Sequence, residues 1–157
     1  MLSGAKKVVK DYKGILPISA LELEKIDGIG PYSAGAISSI AFGQRSPLVD
    51  GNVARVFSRP SRSGIKSFAT TILTRATGLT ALHAPPAAKA TTQFLWSLAD
   101  LLVPADRPGD WNAALMDLGA TICTPKKEPN CKICPLSDHC LAFAEVRFRT
   151  RPLLALD

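Results

Sequence analysis

Apolar residues recur along this chain at the intervals of three and four that mark helices, and no stretch alternates as a half-buried strand does. Residues 4–12 carry Ala5, Val8 and Val9 in a weak helical pattern. Ser19-Ala20-Leu21-Glu22 then reads as a capping box, in which the serine oxygen accepts from the third amide and the glutamate reaches back. The short helix after it ends at Asp27-Gly28-Ile29-Gly30. Pro31 suits the first position of the next helix, over 32–42, with Ala36, Ile37, Ile40 and Ala41 expected inward. Gly43 ends that helix, 46–49 is extended, and Asp50 or Asn52 caps a helix running through Val53, Val56 and Phe57.

From Pro60 to Gln93 the pattern fails: Pro85-Pro86 breaks any helix, no apolar stripe is visible, and there is no Asp or Glu. Order returns as a strongly apolar helix over 94–103, a loop with Pro104 and Pro108, and a helix over 111–122 carrying Leu115, Met116 and Leu118. A cysteine loop follows. The expected organisation is therefore all-α, in five parts: 1–59, 60–93 as an atypical basic insert or loop, 94–122 as returning helices, the loop 123–140, and a tail 141–157.

Composition narrows the function classes. The 157 residues are 46% hydrophobic and 20% charged, values of a globular protein, and no apolar run approaches the roughly 18–20 residues of a membrane span. The first residues, Met1 to Lys7, lack an apolar signal core. A net charge of +6 favours polyanionic partners through counterion release, although a merely soluble basic protein has the same balance. All four cysteines lie between Cys123 and Cys140, which argues for a metal site in a reducing compartment and against a disulfide framework.

Three groups could carry chemistry. Gly28-Ile29-Gly30, at the start of a helix, can turn backbone amides toward a phosphate oxygen, or can be an ordinary turn between two helices. Cys123, Cys131, Cys134 and Cys140, with seven, two and five residues in the gaps, suit a tetrahedral zinc or a cubane cluster. Asp50 is a helix cap, or a carboxylate available to stabilise positive charge.

The run from Leu23 through Ile26-Asp27-Gly28-Ile29-Gly30-Pro31-Tyr32-Ser33-Ala34-Gly35-Ala36-Ile37, followed by Leu48-Val49-Asp50-Gly51-Asn52-Val53-Ala54-Arg55-Val56, resembles the helix–hairpin–helix DNA glycosylases. Within that superfamily it is most similar to the MutY-type adenine DNA glycosylases, in their animal form. Gly119-Ala120-Thr121-Ile122-Cys123-Thr124-Pro125 and Cys131-Lys132-Ile133-Cys134-Pro135 resemble the same enzymes' 4Fe–4S loop. The motifs that carry the resemblance cover about two-thirds of the chain.

The resemblance implies a helix–hairpin–helix glycosylase fold with a C-terminal iron–sulfur loop, incomplete at its N-terminus. It implies excision of adenine opposite 8-oxoguanine or guanine in double-stranded DNA, by a monomer located in the nucleus or, alternatively, the mitochondrion. Asp50 takes the role of the catalytic carboxylate, Asn52 bonds near it, and Tyr32 stands in the active site. The four cysteines hold the cluster, with zinc the alternative. The hairpin 28–30 and Lys126, Lys127 and Lys132 meet the DNA backbone. A tyrosine where endonuclease III-like relatives carry a lysine implies base excision without strand cleavage, since a phenol forms no Schiff base.

The chain departs from the family at several points. The first cysteine gap has one residue more than the family's usual six. Residues 60–93 lose the family's wording. No residue matches the upstream general-acid glutamate, since Glu22 and Glu24 lie elsewhere, and no second, Nudix-like domain follows. The alternatives kept open are an inactive DNA-binding iron–sulfur module and an endonuclease III-like pyrimidine glycosylase.

Overall fold

The computed structural model describes residues 2–59, 89–125, 127–140 and 142–143, and the expected insert lies outside the described residues over 60–88. Among the described residues the elements are helical: α1 (Leu2–Tyr12), α2 (Ala20–Leu23), α3 (Pro31–Ala36), α4 (Gly51–Ser58), α5 (Lys89–Leu102) and α6 (Pro108–Asp117). α3 and α6 each run on into a π-turn, Ile37–Ala41 and Leu118–Ile122. Short 3-10 turns, Cys131–Ile133 and Ser137–His139, shape the cysteine loop. No helix among the described residues is long and apolar enough to cross a membrane.

Local sequence accounts for most boundaries. Pro31 and Pro108 open α3 and α6, where a missing N–H costs nothing. α5 begins at Lys89, five residues before the apolar run, because the polar turn preceding Phe94 also winds into it.

Three expectations are corrected, the first being that Pro108, expected in the loop before a helix over 111–122, is itself the first residue of that helix. Ser19 makes no side-chain cap bond; its backbone carbonyl accepts from Glu22 and Leu23 N–H at 3.1 and 3.0 Å. The Glu22 carboxylate turns instead to Lys25 Nζ at 2.6 Å and the Tyr12 hydroxyl at 3.5 Å. The inner face of the second hairpin helix also differs, since Ile40 is 51% exposed while Ser38 and Ser39 are buried. The π-turn sits where this happens: its wider winding rotates the residues at its end away from a 3.6-residue stripe.

Those buried serines are fully engaged. Ser38 donates to Ile18 O at 2.8 Å and Ser39 to Gly35 O at 2.7 Å. Asn112 of α6 donates to Ser39 Oγ and to Ser46 O, both at 2.9 Å. This polar chain pins the extended segment 46–49 between α3 and α6, and so fixes where α4 begins.

Among the described residues the buried apolar side chains form three clusters. Leu23, Ile26 and Ala34 join α2 to α3, with Val8, Tyr12 and Ile29 packed on them. Leu48, Val53 and Leu115 join the extended segment, α4 and α6, with Met116 beside them. Leu98 of α5 packs with Phe57, Phe94 and Leu102.

Candidate active site and cysteine centre

The hairpin turn is shaped by one glycine. Gly28 has φ +90°, a conformation that side chains rarely adopt, and Ile29 N–H bonds back to Ile26 O at 3.0 Å. Ile29 packs on the Leu23 cluster, which anchors the turn to the apolar core. Gly30 differs: it has φ −92°, and a Cβ added there would meet nothing within 4 Å. Neither its backbone angle nor its packing requires glycine, and the open space lies at the helix entrance.

Asp50 is the N-cap of α4, and it is also more than a cap. Its Oδ1 accepts the Val53 N–H at 2.7 Å, and its Oδ2 accepts from Asn52 Nδ2 at 2.9 Å. A β-region backbone (φ −114°, ψ −174°) gives the carboxylate this reach. Both oxygens are thus held by donors within three residues, which keeps the group oriented.

The chain of bonds continues. Asn52 Oδ1 accepts from Arg55 Nη2 at 2.7 Å, and the same guanidinium reaches Gly119 O and Cys123 O, each at 2.6 Å. Four residues on, Arg59 Nη1 donates to Cys123 Sγ at 2.8 Å. The approach depends on Gly119, where a Cβ would lie 2.5 Å from Asn52 Cβ and 2.9 Å from its backbone. α4 therefore connects the carboxylate to the first cysteine within a single helix length.

Tyr32 is 42% exposed, and its hydroxyl lies 3.6 Å from Met116 Sδ. Through Met116 it is attached to the Leu48–Val53–Leu115 cluster that flanks Asp50.

The four cysteines are half-buried, unbridged, and line one cavity of about 390 Å³, whose wall includes Phe57, Arg59, Leu98, Leu118 and Phe143. Burial pushes the Cys123 thiol up, opposed by the charges of Arg59 and Arg55 and reinforced by Cys134 and Cys140. Cys131 is raised by burial and by Cys140 and Cys134. The enlarged first gap is closed by Asn130 N–H bonding to Ile122 O at 3.1 Å, so the added residue does not stop the loop from folding back. Among the described residues no three His, Cys, Asp or Glu side chains are grouped tightly enough, as they stand, to ligate one metal ion.

Of the basic residues expected at DNA, Lys127 and Lys132 are exposed on the cysteine loop, and Lys126 lies outside the described residues. Sequence reading missed Arg55, Arg59, Met116 and Gly119. The arginines' spacing, one helical turn apart on the helix that Asp50 begins, was the available signal; their partners, 64 to 68 positions away, were not.

No family model matches the chain. Among individual proteins, it is 44% identical over 144 residues to the adenine DNA glycosylase of Arabidopsis thaliana, covering 92% of this chain and 20% of that protein. Against the adenine DNA glycosylase of Homo sapiens it is 44% identical over 144 residues, 91% of this chain and 23% of the relative. A thymine/uracil-DNA glycosylase of Methanothermobacter thermautotrophicus is 32% identical over 136 residues, covering 87% of this chain and 52% of the relative. A solved thermostable thymine-DNA glycosylase superposes with TM-score 0.69 at 30% identity, over 91% of this chain and 56% of that one. The chain has the helix–hairpin–helix DNA glycosylase fold and is a homologue of the MutY-type adenine DNA glycosylases, spanning about a fifth to a quarter of their length.

Proposed function

We propose that this chain carries the carboxylate and cysteine-loop part of a base-excision DNA glycosylase that removes adenine opposite 8-oxoguanine or guanine, without cutting the strand. The observation that carries the reading is the Asp50 carboxylate, held at both oxygens by Val53 N–H and Asn52. A carboxylate oriented in advance stabilises the positive charge that builds on the sugar as the glycosidic bond breaks, and no reorganisation is needed at that moment. Asn52 keeps it aimed. Tyr32, exposed and attached to the same apolar cluster, borders the position of the flipped nucleotide. The open space at Gly30 suits close approach of a backbone phosphate to the amides that start α3. Higher identity to adenine glycosylases than to the thymine/uracil enzyme supports the adenine branch.

Four thiols around one cavity suit a 4Fe–4S cluster. A cubane takes one thiolate at each of its four irons, and this loop supplies four cysteines. Bound, the cluster would join Cys123, Cys131, Cys134 and Cys140 and stabilise a loop with little apolar core of its own, presenting Lys127 and Lys132 to the DNA backbone.

A second reading, a DNA-binding module without catalysis, is favoured by Asp50 being a fully formed helix cap and by Glu22 being committed to Lys25. Single-turnover release of adenine from a duplex with 8-oxoguanine opposite separates the two. Asp50→Asn keeps a good cap but removes the charge, so the excision rate falls by about 10²–10³-fold while DNA binding and stability hold. Binding with no adenine release from the unaltered chain establishes the inert module. Covalent trapping with borohydride through a lysine overturns excision without strand cleavage.

A further inference from the structure

Arg55 and Arg59 pose a problem that catalysis does not answer. Both are half-buried, and among the described residues neither pairs with a carboxylate. Arg55 is satisfied by the carbonyls of Gly51, Gly119 and Cys123 and by Asn52. Among the described residues Arg59 has a single side-chain bond, to Cys123. It stands in the wall of the cysteine cavity among Val56, Phe57 and Leu98, with Nη1 against Cys123 Sγ at 2.8 Å. A cation beside an apolar wall needs an anion nearby, and a neutral thiol is a poor one. A metal-bound thiolate supplies the charge.

We propose that Arg59 is a positioning residue for the iron–sulfur centre: its N–H fixes Cys123 as a thiolate ligand and raises the potential at which the cluster accepts an electron. This rests on the cluster reading above. The geometry is directional, since α4 runs from Asp50, and Arg59, the residue that caps its C-terminus, brings the guanidinium to the sulfur while Arg55 within the helix holds the carbonyl of the same cysteine. Two donors on one helix thus orient both ends of Cys123. A hydrogen bond and a positive charge at a ligand sulfur favour the reduced, more negative cluster, and partners of this kind also slow the loss of metal.

The test uses the full chain, reconstituted anaerobically with iron and sulfide, as wild type, Arg59→Leu and Arg59→Lys. Iron per chain, the rate of iron removal by a ferrous chelator and the reduction potential by protein-film voltammetry are measured, with circular dichroism to establish folding. The expected result is a lower potential for Arg59→Leu than for wild type and iron loss about 10-fold faster. Arg59→Lys, which keeps a cation near the sulfur, recovers most of both. A folded Arg59→Leu with wild-type potential and wild-type iron retention overturns the role of Arg59 alone. So does a lysine variant no better than leucine, which would leave only packing. A wild-type chain that takes up zinc or nothing in place of iron overturns the cluster reading beneath it, a distinct outcome.

Discussion

The hairpin around Gly28 is held by Leu23, Ile26 and Ala34, residues from one short stretch of chain, and what it offers is backbone. Asp50 is linked to Cys123 by a run of polar bonds through Asn52 and Arg55, whose last step spans 68 positions, and what it offers is side chains. The two differ because their tasks differ. A turn that presents amides needs only the right φ at one glycine and an apolar base. A carboxylate and a thiol that must each keep one orientation need directional partners, which come from wherever the fold brings them.

Substitutions can break that contrast, and the largest effect is expected at its most connected residue. Arg55→Met keeps the apolar stem but leaves Gly119 O and Cys123 O without their donor, so urea unfolding registers a loss of about 3 kcal/mol. A loss under about 0.5 kcal/mol would mean that the polar run does not hold this half together. Gly119→Ala comes next, at about 2 kcal/mol, because the added methyl meets Asn52 at 2.5 Å and forces α4 from the end of α6. The hairpin answers in the opposite way. Gly30→Ala changes stability by less than about 1 kcal/mol, since nothing surrounds the new Cβ and φ is negative, yet it weakens duplex binding about tenfold. Unchanged affinity in a salt titration would remove this turn from the DNA interface. The smallest effect belongs to Ser19→Ala, within about 0.5 kcal/mol in thermal unfolding, because the hydroxyl makes no cap bond. A cost near that of a formed N-cap would restore the capping box in solution.

The same contrast explains what could be read in advance. The turn at Gly28, the proline start of α3 and the Asp50 cap follow from rules that act over four residues, and all are present, whereas Pro108, expected in a loop, opens α6 three residues before the expected start. The capping box at Ser19 failed because Glu22 found Lys25 and Tyr12, competitors the pattern does not contain. Ile40 failed because a π-turn shifts the register, and of the serines it brings inward Ser38 is satisfied by Ile18 O and Ser39 by Asn112, 73 positions later. Asp50 had two readings in the sequence, cap and reactive carboxylate, and its two oxygens leave room for both.

The sequence by itself determined the helical class, the hairpin turn, the position of the helix-capping aspartate and the confinement of every cysteine to one loop. Each of these rests on short-range backbone preferences or on spacing. Only the tertiary structure decided that Arg55 and Arg59 face Cys123, that Gly119 lets the end of α6 close on α4, and that four cysteines surround a single cavity. Those relations join residues far apart in the chain. A hydrogen bond or a steric approach between them has no cause until packing has brought its two ends together.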